Sequence, residues 1–503
     1  MKLNFAPFYQ ELIDTLGAYN LAMNTMYVDE YTIAPKKGAA RTNEAFAVLS
    51  RKAFEIENDP ETIARIEEYY STLEDGTLEK KEVGMRLDAL NDTRAIPADL
   101  YQEWRRTISE SETAWHDAKD NADYEAFKPH LKKVVAKMLE VSSYSPRFDA
   151  EHPYNFLLDQ FEKGIDEAQY DEFFAAVVED LAPVIKKIAK AEPIEDSLLS
   201  TIIPVEEQAP FNDYVLDLLK ADHDRLYLST TEHPFTDFLS HDDVRITTHY
   251  YPDQFLSAVL STVHEYGHGL YHLQTDGDFD KTLLVDGVGC AAHESQSRLL
   301  ENHIGRSKAF WTVLLPELKK RYPAFENVTI DELHAMINVS KPSLIRTEAD
   351  ELTYPFHILI RYEIEKKMAD GTLDYDTLPQ LWGDLYEKYL GVRPANDKEG
   401  LLQDMHWSAA NIGYFPSYAM GSAYAAQIYE AMCKDIDPEA LLLENRFDVI
   451  AKWLEDHVHH YGASKTMREI VEEVSGKPFD PHIYTNYLKD KYTRLYNLDA
   501  IED

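Results

Sequence analysis

Two histidines four residues apart, His264 and His268 in the stretch VHEYGHGLYH, with Glu265 directly after the first, are the most chemically pointed feature of this chain. On an α-helix, residues i and i+4 lie one turn apart on the same face, so both imidazoles can reach one ion while Glu265 projects beside them. This is the HExxH arrangement. Neutral imidazole nitrogens suit zinc, and the neighbouring carboxylate can take a proton from a water whose pKa the ion has lowered. Gly267 and Gly269 point the same way. Each costs about 1 kcal/mol relative to alanine inside a helix, an odd choice unless a ligand pocket or a second helix must approach the backbone.

A catalytic ion of this kind needs a third protein ligand and an open position for water. The longer HExxHxxGxxH form does not supply it, because Tyr271 and Gln274 occupy its glycine and last-histidine positions. The next candidate stretch is GVGCAAHESQSRLLE, in which Gly289, Cys290, Ala291 and Ala292 make a narrow surface leading to His293 and Glu294. Glu294 can complete the site, but it can also form a plain i,i+4 surface pair with Arg298. Spacing alone leaves His293, His272 and Asp276 as rivals. Cys290 reads as a core thiol, and the histidines of HVHHYG, His457, His459 and His460, as a solvated helix end.

Helical periodicity dominates the elements that must position these groups. Amphipathic runs extend from about Phe8 to Asp29, Ala39 to Leu73 and Tyr101 to Leu139, and the first two hundred residues read as all-helical. Pro97, Pro146, Pro153 and Pro204 separate helices, yet no long linker, low-complexity tract or fixed-period repeat marks a domain boundary. Between about Arg225 and Tyr250 the period changes to two. RLYLST and VRITTHY are rich in β-branched and aromatic residues and predict a small sheet. In the second run Asp243, Arg245 and Thr247 share one face while Val244 and Ile246 share the other, the pattern of a solvated edge strand or of a strand bordering a cleft, and its place just before the histidine helix favours the second. Pro252 and Asp253 then suit the first turn of the histidine-bearing helix.

Composition narrows the function classes. The chain has 503 residues, 44% of them hydrophobic and 12% aromatic, which is enough for a sizeable core and far from the disordered regime. The formal net charge of −40 repels phosphate backbones and anionic lipid, and so argues against nucleic-acid and membrane-surface roles. Two cysteines cannot form a disulfide framework for a body this large, which favours a reducing compartment, the cytoplasm. The amino-terminal segment lacks an unbroken apolar run, and no later stretch has eighteen apolar residues in a row.

Six spaced motifs then carry a family resemblance. They are HPF at His233 to Phe235, DVRIT at Asp243 to Thr247, HEYGH at His264 to His268, HESQS at His293 to Ser297, IRTEAD at Ile345 to Asp350 and GLLQDMHW at Gly400 to Trp407. Together with segments near both ends, they resemble the thermostable carboxypeptidase Taq family of zinc metallocarboxypeptidases, HExxH peptidases with a glutamate third ligand. The resemblance covers nearly the whole chain. It implies a mainly α, two-lobed helical body with a deep groove and a small β-sheet, similar to the neurolysin and angiotensin-converting-enzyme folds. A single catalytic unit over residues 1–503 would have a helical lobe at about 1–220 and its motifs within 233–421. The resemblance also implies a homodimer, and it selects Glu294 as the third ligand beside His264 and His268.

On that basis the remaining motifs acquire roles. An enzyme acting at a carboxyl terminus must hold a carboxylate, for which a guanidinium offers a planar, two-pronged donor set. Arg346 is the preferred anchor, with Arg245 supporting closure of the groove. Negative charge developing on the carbonyl oxygen calls for a donor besides the ion. His406 and Tyr418 are the candidates, with Tyr414 in reserve on the substrate side. The expected reaction is release of single C-terminal amino acids, with broad specificity, from peptides with a free C-terminus. Zinc, or cobalt or manganese in its place, would activate water, and Glu265 would act as general base. The alternatives are an oligopeptidase or dipeptidyl peptidase on the same scaffold, or a zinc-stabilised peptide-binding protein without turnover. The intact Glu265 argues against the last, since a purely structural site needs no base.

Overall fold

The structure, a computed structural model, describes residues 3–500. It is mainly helical, with one small sheet inserted before the histidine-bearing helix. The first predicted helix spans Pro7–Thr32. The second run, expected to be continuous from Ala39 to Leu73, is broken into Ala39–Glu57 and Pro60–Thr72. The break has a local cause: the Asp59 side chain accepts a hydrogen bond from the Thr62 amide, and Pro60 follows at the first helical position. The third run breaks likewise, into Ala98–Asn121 and Tyr124–Ser142, where Ala122 takes a left-handed conformation at φ 52°. Asp123 then caps the second piece by accepting from the Ala126 amide.

Among the described residues three hydrophobic clusters result, one of them only Phe279, Leu284, Val288 and Ala463. Another small one joins the first helices through Tyr9, Leu12, Ile13, Ile66, Val83 and Leu90. The principal core runs from Trp115 to Leu498 and takes in the apolar positions of the histidine-bearing segment. Among the described residues no helix is long and apolar enough to cross a membrane.

The sheet has three strands, β1 (Leu226–Thr230), β2 (Thr236–Ser240) and β3 (Asp243–Thr248), in the order β1-β3-β2. β3 pairs parallel to β1, with Leu226 opposite Val244 and Leu228 opposite Ile246. It pairs antiparallel to β2, with Thr236 opposite Ile246 and Asp237 opposite Arg245. β1 and β3 were expected from period two, whereas β2 was not. Val244 and Ile246 are fully buried, as their alternation predicts. Thr247 departs from its polar face: it too is buried, its hydroxyl engaged with the Phe235 backbone.

The histidine helix spans Phe255–Gln274, so Pro252 and Asp253 lie before it rather than in its first turn. It packs on the sheet's buried face. A Cβ on Gly269 would stand 3.0 Å from Leu226 and 3.3 Å from Ile246. A second short helix, Cys290–Arg298, crosses its other side and is itself covered by the helix Phe415–Asp435. Both crossings are close. A Cβ on Gly267 would fall 2.6 Å from the Gln296 carbonyl oxygen, and one on Gly421 would fall 2.7 Å from Glu294 Cβ. The helical glycines therefore answer to packed neighbours, which hold the histidine and glutamate helices in fixed register.

Candidate metal centre

That register brings three donors to one point. The Nε2 atoms of His264 and His268 lie 3.7 and 3.6 Å from the same oxygen, Oε2 of Glu294. Donors bound at about 2.0–2.2 Å in tetrahedral array stand about 3.3–3.6 Å apart, so this triangle frames one ion with little movement. The donor chemistry, two imidazoles and one carboxylate with a fourth direction open to the groove, fits a divalent cation. Asp276 is elsewhere, at the start of the turn after the histidine helix, where it accepts from the Asp278 amide. His272 and His293 group with Asp286 instead.

Each donor is oriented from behind. His264 Nδ1 lies 2.9 Å from Oε2 of Glu301, a carboxylate that leaves Nε2 to face the centre. Glu301 sits on a π-helical turn, Leu299–Gly305, continuing the glutamate helix. Arg298 ties the two carboxylates together: its Nε donates to Glu294 Oε1 at 2.7 Å and its Nη1 to Glu301 Oε2 at 3.0 Å. The i,i+4 pair of Glu294 and Arg298 thus exists, but it is buried and uses the glutamate oxygen that faces away from the centre. Burial disfavours charge on His264, yet Glu294 and Glu301 outweigh it and raise the pKa. For His268 burial dominates, followed by the positive field of His264, and the ring is held well below its ordinary pKa. Burial also opposes ionisation of Glu301, but Arg298 and His264 hold it well below the usual carboxylate range.

Glu265 lies beside the centre on the same helix, 7% exposed. Its Oε2 accepts a hydrogen bond from the Thr236 hydroxyl at 2.7 Å, which leaves Oε1 for the groove. Burial raises its pKa, with His264 and Thr236 pulling the other way, so the carboxylate is more basic than one in water.

The groove is a cavity of about 590 Å³ lined by His264, Glu265, His268, Glu294, Tyr414 and Tyr418 among others. Phe161, Pro234 and Phe235 supply apolar wall. Burial keeps the Tyr418 phenol well above its ordinary pKa and raises that of Tyr414, so both hydroxyls stay protonated as donors. Three residues chosen from motifs lie off this lining. His406 is one layer back, its ring centroid 4.5 Å from that of Phe415 and 6.3 Å from that of Tyr418; burial pushes it down to about 4. Arg346 is buried with its Nε and Nη2 donating to Asp404 Oδ1 at 3.1 and 3.0 Å and its guanidinium 5.2 Å from the Tyr418 ring centroid. Arg245 is further off still, paired with Asp243 and lining a separate cavity with Tyr227.

Two expectations are corrected. Cys290 is not a core thiol but is half-buried on the lining of the groove. His459 is not at a solvated helix end; it is buried between the side-chain amides of Gln274 and Gln296 and thereby links the histidine and glutamate helices. Three contributors went unsingled in the sequence. Thr236 directly follows the HPF triplet, Glu301 follows Glu294 by seven residues, a spacing of about two turns, and Asp404 stands inside the QDMHW stretch.

The chain matches the carboxypeptidase Taq (M32) metallopeptidase family over residues 8–492. It belongs to that family. Carboxypeptidase 1 of Bacillus subtilis (strain 168) is 37% identical to it, covering 97% of this chain and 98% of its own. Thermostable carboxypeptidase 1 of Pyrococcus furiosus is 34% identical, covering 91% and 92%. Among solved structures, a Pyrococcus furiosus carboxypeptidase described as Apo-Mg superposes with TM-score 0.93 at 33% identity, covering 98% of this chain and 100% of that one. The chain is therefore an M32 metallocarboxypeptidase, a peptide hydrolase that depends on a divalent metal, and its helical body with one small sheet is the architecture of that family's structures.

Proposed function

We propose that this enzyme removes single residues, with broad specificity, from the free C-terminus of peptides. In this reading His264, His268 and Glu294 hold zinc, or cobalt or manganese in its place, and Glu265 is the general base. The observation that carries the proposal is the convergence of two imidazoles, one carboxylate and a second, elevated carboxylate on one wall of a groove. A metal bound there supplies Lewis acidity, lowering the pKa of water and polarising the scissile carbonyl. Glu265 takes the proton of the attacking water at Oε1, while Thr236 fixes Oε2, and afterwards returns the proton to the leaving amine. The Tyr418 hydroxyl donates to the carbonyl oxygen as charge builds on it, with His406 supporting that ring from behind and Tyr414 contacting substrate.

Arg346 is assigned to the substrate's terminal carboxylate. Among the described residues its Nη1 is held by a 3.3 Å contact to the Tyr354 hydroxyl, which a carboxylate would replace, and the guanidinium lies 5.2 Å from the Tyr418 ring centroid. Arg245 supports the sheet from its outer side: it faces Asp237 of β2, the strand that carries Thr236. A homodimer belongs to the same proposal and is decided by sedimentation equilibrium.

Glu265→Gln tests the base. It should keep near-stoichiometric metal and lose roughly 10²-fold or more in turnover. A variant of near-normal activity would remove Glu265 from the mechanism. The engagement of Arg346 with Asp404, off the lining of the cavity, favours one second reading: an oligopeptidase or dipeptidyl peptidase that cuts farther from the end and needs no terminal anchor.

A further inference from the structure

A second cluster of ligand type lies on the same groove, one helical turn beyond His268. His272, Asp286 and His293 each offer one atom, and these atoms all lie within 4.8 Å of one another. His272 is 8% exposed, its ring stacks on Phe238, and its Nδ1 has no hydrogen-bond partner. His293 Nε2 makes a close contact with Asp286 Oδ1, and Asp286, 60% exposed, opens the cluster to solvent. All three line the cavity, but none belongs to the donor set of His264, His268 and Glu294. Two imidazoles and a carboxylate are the donor chemistry of a zinc-class divalent cation. A buried imidazole with a vacant nitrogen is the kind of unsatisfied polar group that calls for an explanation.

The cluster is joined to the primary centre by one contact, His268 Nδ1 to His293 Nδ1 at 3.3 Å. Proton placement gives that contact a sign. With His268 Nε2 committed to the primary centre, its neutral ring carries the proton on Nδ1 and must donate. His293 accepts on its own Nδ1 when its proton is on Nε2, the nitrogen beside Asp286. Asp286 Oδ1 stands against that Nε2 without hydrogen-bond geometry, so the matched contact is the one between His293 and His268. A cation on His293 Nε2 displaces that proton, and the neutral ring then carries its hydrogen on Nδ1, where it opposes the N–H of His268.

We propose that His272, Asp286 and His293 form a second divalent-cation site, weaker than the primary centre and antagonistic to it. Filling it removes the hydrogen bond that orients His268, so excess metal slows the enzyme. By linkage, the two occupancies must oppose each other equally.

The test uses the full-length enzyme carrying one zinc. It is dialysed against buffers of rising free Zn²⁺, with bound zinc counted by atomic emission and peptide hydrolysis measured in parallel. The wild type should bind two zinc ions per chain, the second at a free concentration at least 10²-fold above the first, and its rate should fall as the second binds. His272→Ala should keep the first zinc and a basal rate within twofold of wild type, need at least 10-fold more zinc to fill the second site, and lose the slowing. If His272→Ala does not fold, Asp286→Asn alters an exposed side chain and should weaken the second zinc likewise. A count that stops at one zinc per chain, a second zinc bound equally well by the variants, or a rate indifferent to the second zinc would each overturn the proposal.

Discussion

Thr236→Val removes one hydroxyl and little else. Valine keeps the β-branched shape that suits β2, so the strand's backbone is unaffected. What disappears is the donor to Glu265: the Thr236 hydroxyl lies 2.7 Å from Oε2 and 3.0 Å from the Glu265 carbonyl oxygen. Its one proton serves the carboxylate, the stronger acceptor. Hydrogen bonds to charged groups contribute about 1.5–3 kcal/mol, and the methyl that replaces the hydroxyl leaves a buried carboxylate oxygen without a partner. If that bond holds the carboxylate in its reactive orientation, most of this energy is lost at the transition state. At 1.36 kcal/mol per tenfold, kcat should fall roughly 10- to 10²-fold. The metal donors are untouched, so bound metal should remain at the wild-type level and KM should change little. Steady-state hydrolysis of a free-acid peptide, with metal content measured on the same preparation, checks this. A kcat within twofold of wild type at full metal occupancy would refute the claim that Thr236 positions the base.

Three further outcomes follow from buried neighbours. Glu301→Gln keeps the shape behind His264 but removes the charge that Arg298 and Arg306 also contact, and it should weaken metal binding by 10- to 10²-fold in competition with a chelator; unchanged affinity would contradict the orienting role. Gly267→Ala places a methyl 2.6 Å from the Gln296 carbonyl oxygen and Ser297 Cα, so overpacking should destabilise the fold by about 1–3 kcal/mol in denaturant titration, and a neutral result would contradict a close helix crossing at Gly267. His303 is buried between the Tyr429 and Tyr487 rings, and burial pushes it from 6.5 down to about 3. The unfolded chain takes up a proton there that the native state refuses, so this stability, full above pH 6.5, is lost as pH falls toward 3. At about 1.4 kcal/mol per unit, His303→Gln should lose about 2 kcal/mol less than wild type between pH 6.5 and pH 5, and equal slopes would refute it.

The legibility of the sequence was uneven for physical reasons. His264, Glu265 and His268 could be read because one helix carries them and helical geometry is local. Glu294 could be named but not separated from His293, His272 and Asp276 by spacing, since its place depends on two helices crossing at Gly267 and Gly421. Thr236 escaped because TDFLS is a short edge strand whose side chains are all half-buried and show no clear alternation. Glu301 escaped although its seven-residue spacing sets it near the face of Glu294, because its role depends on His264 of another helix lying against it. The motif arginines were visible as chemistry, and period two already set Asp243 beside Arg245, but Asp404, which decides how free the Arg346 guanidinium is, lies 58 residues away and meets it only in three dimensions. The breaks at Asp59–Pro60 and Ala122 divide two long periodic runs, the first at a proline signal already present in the sequence and the second at an alanine that gives none.

In the proposed function this groove cuts the last peptide bond of a chain with a free carboxyl end. The most direct test is a mass-spectrometric time course on one peptide in free-acid and C-terminally amidated forms, with the wild-type enzyme at full metal occupancy. The free acid should shorten one residue at a time from its C-terminus. The amidated form, lacking a charge-assisted hydrogen bond that contributes about 1.5–3 kcal/mol, should be hydrolysed at least 10-fold more slowly. Release of dipeptides, internal cuts, or equal hydrolysis of the two forms would contradict that function.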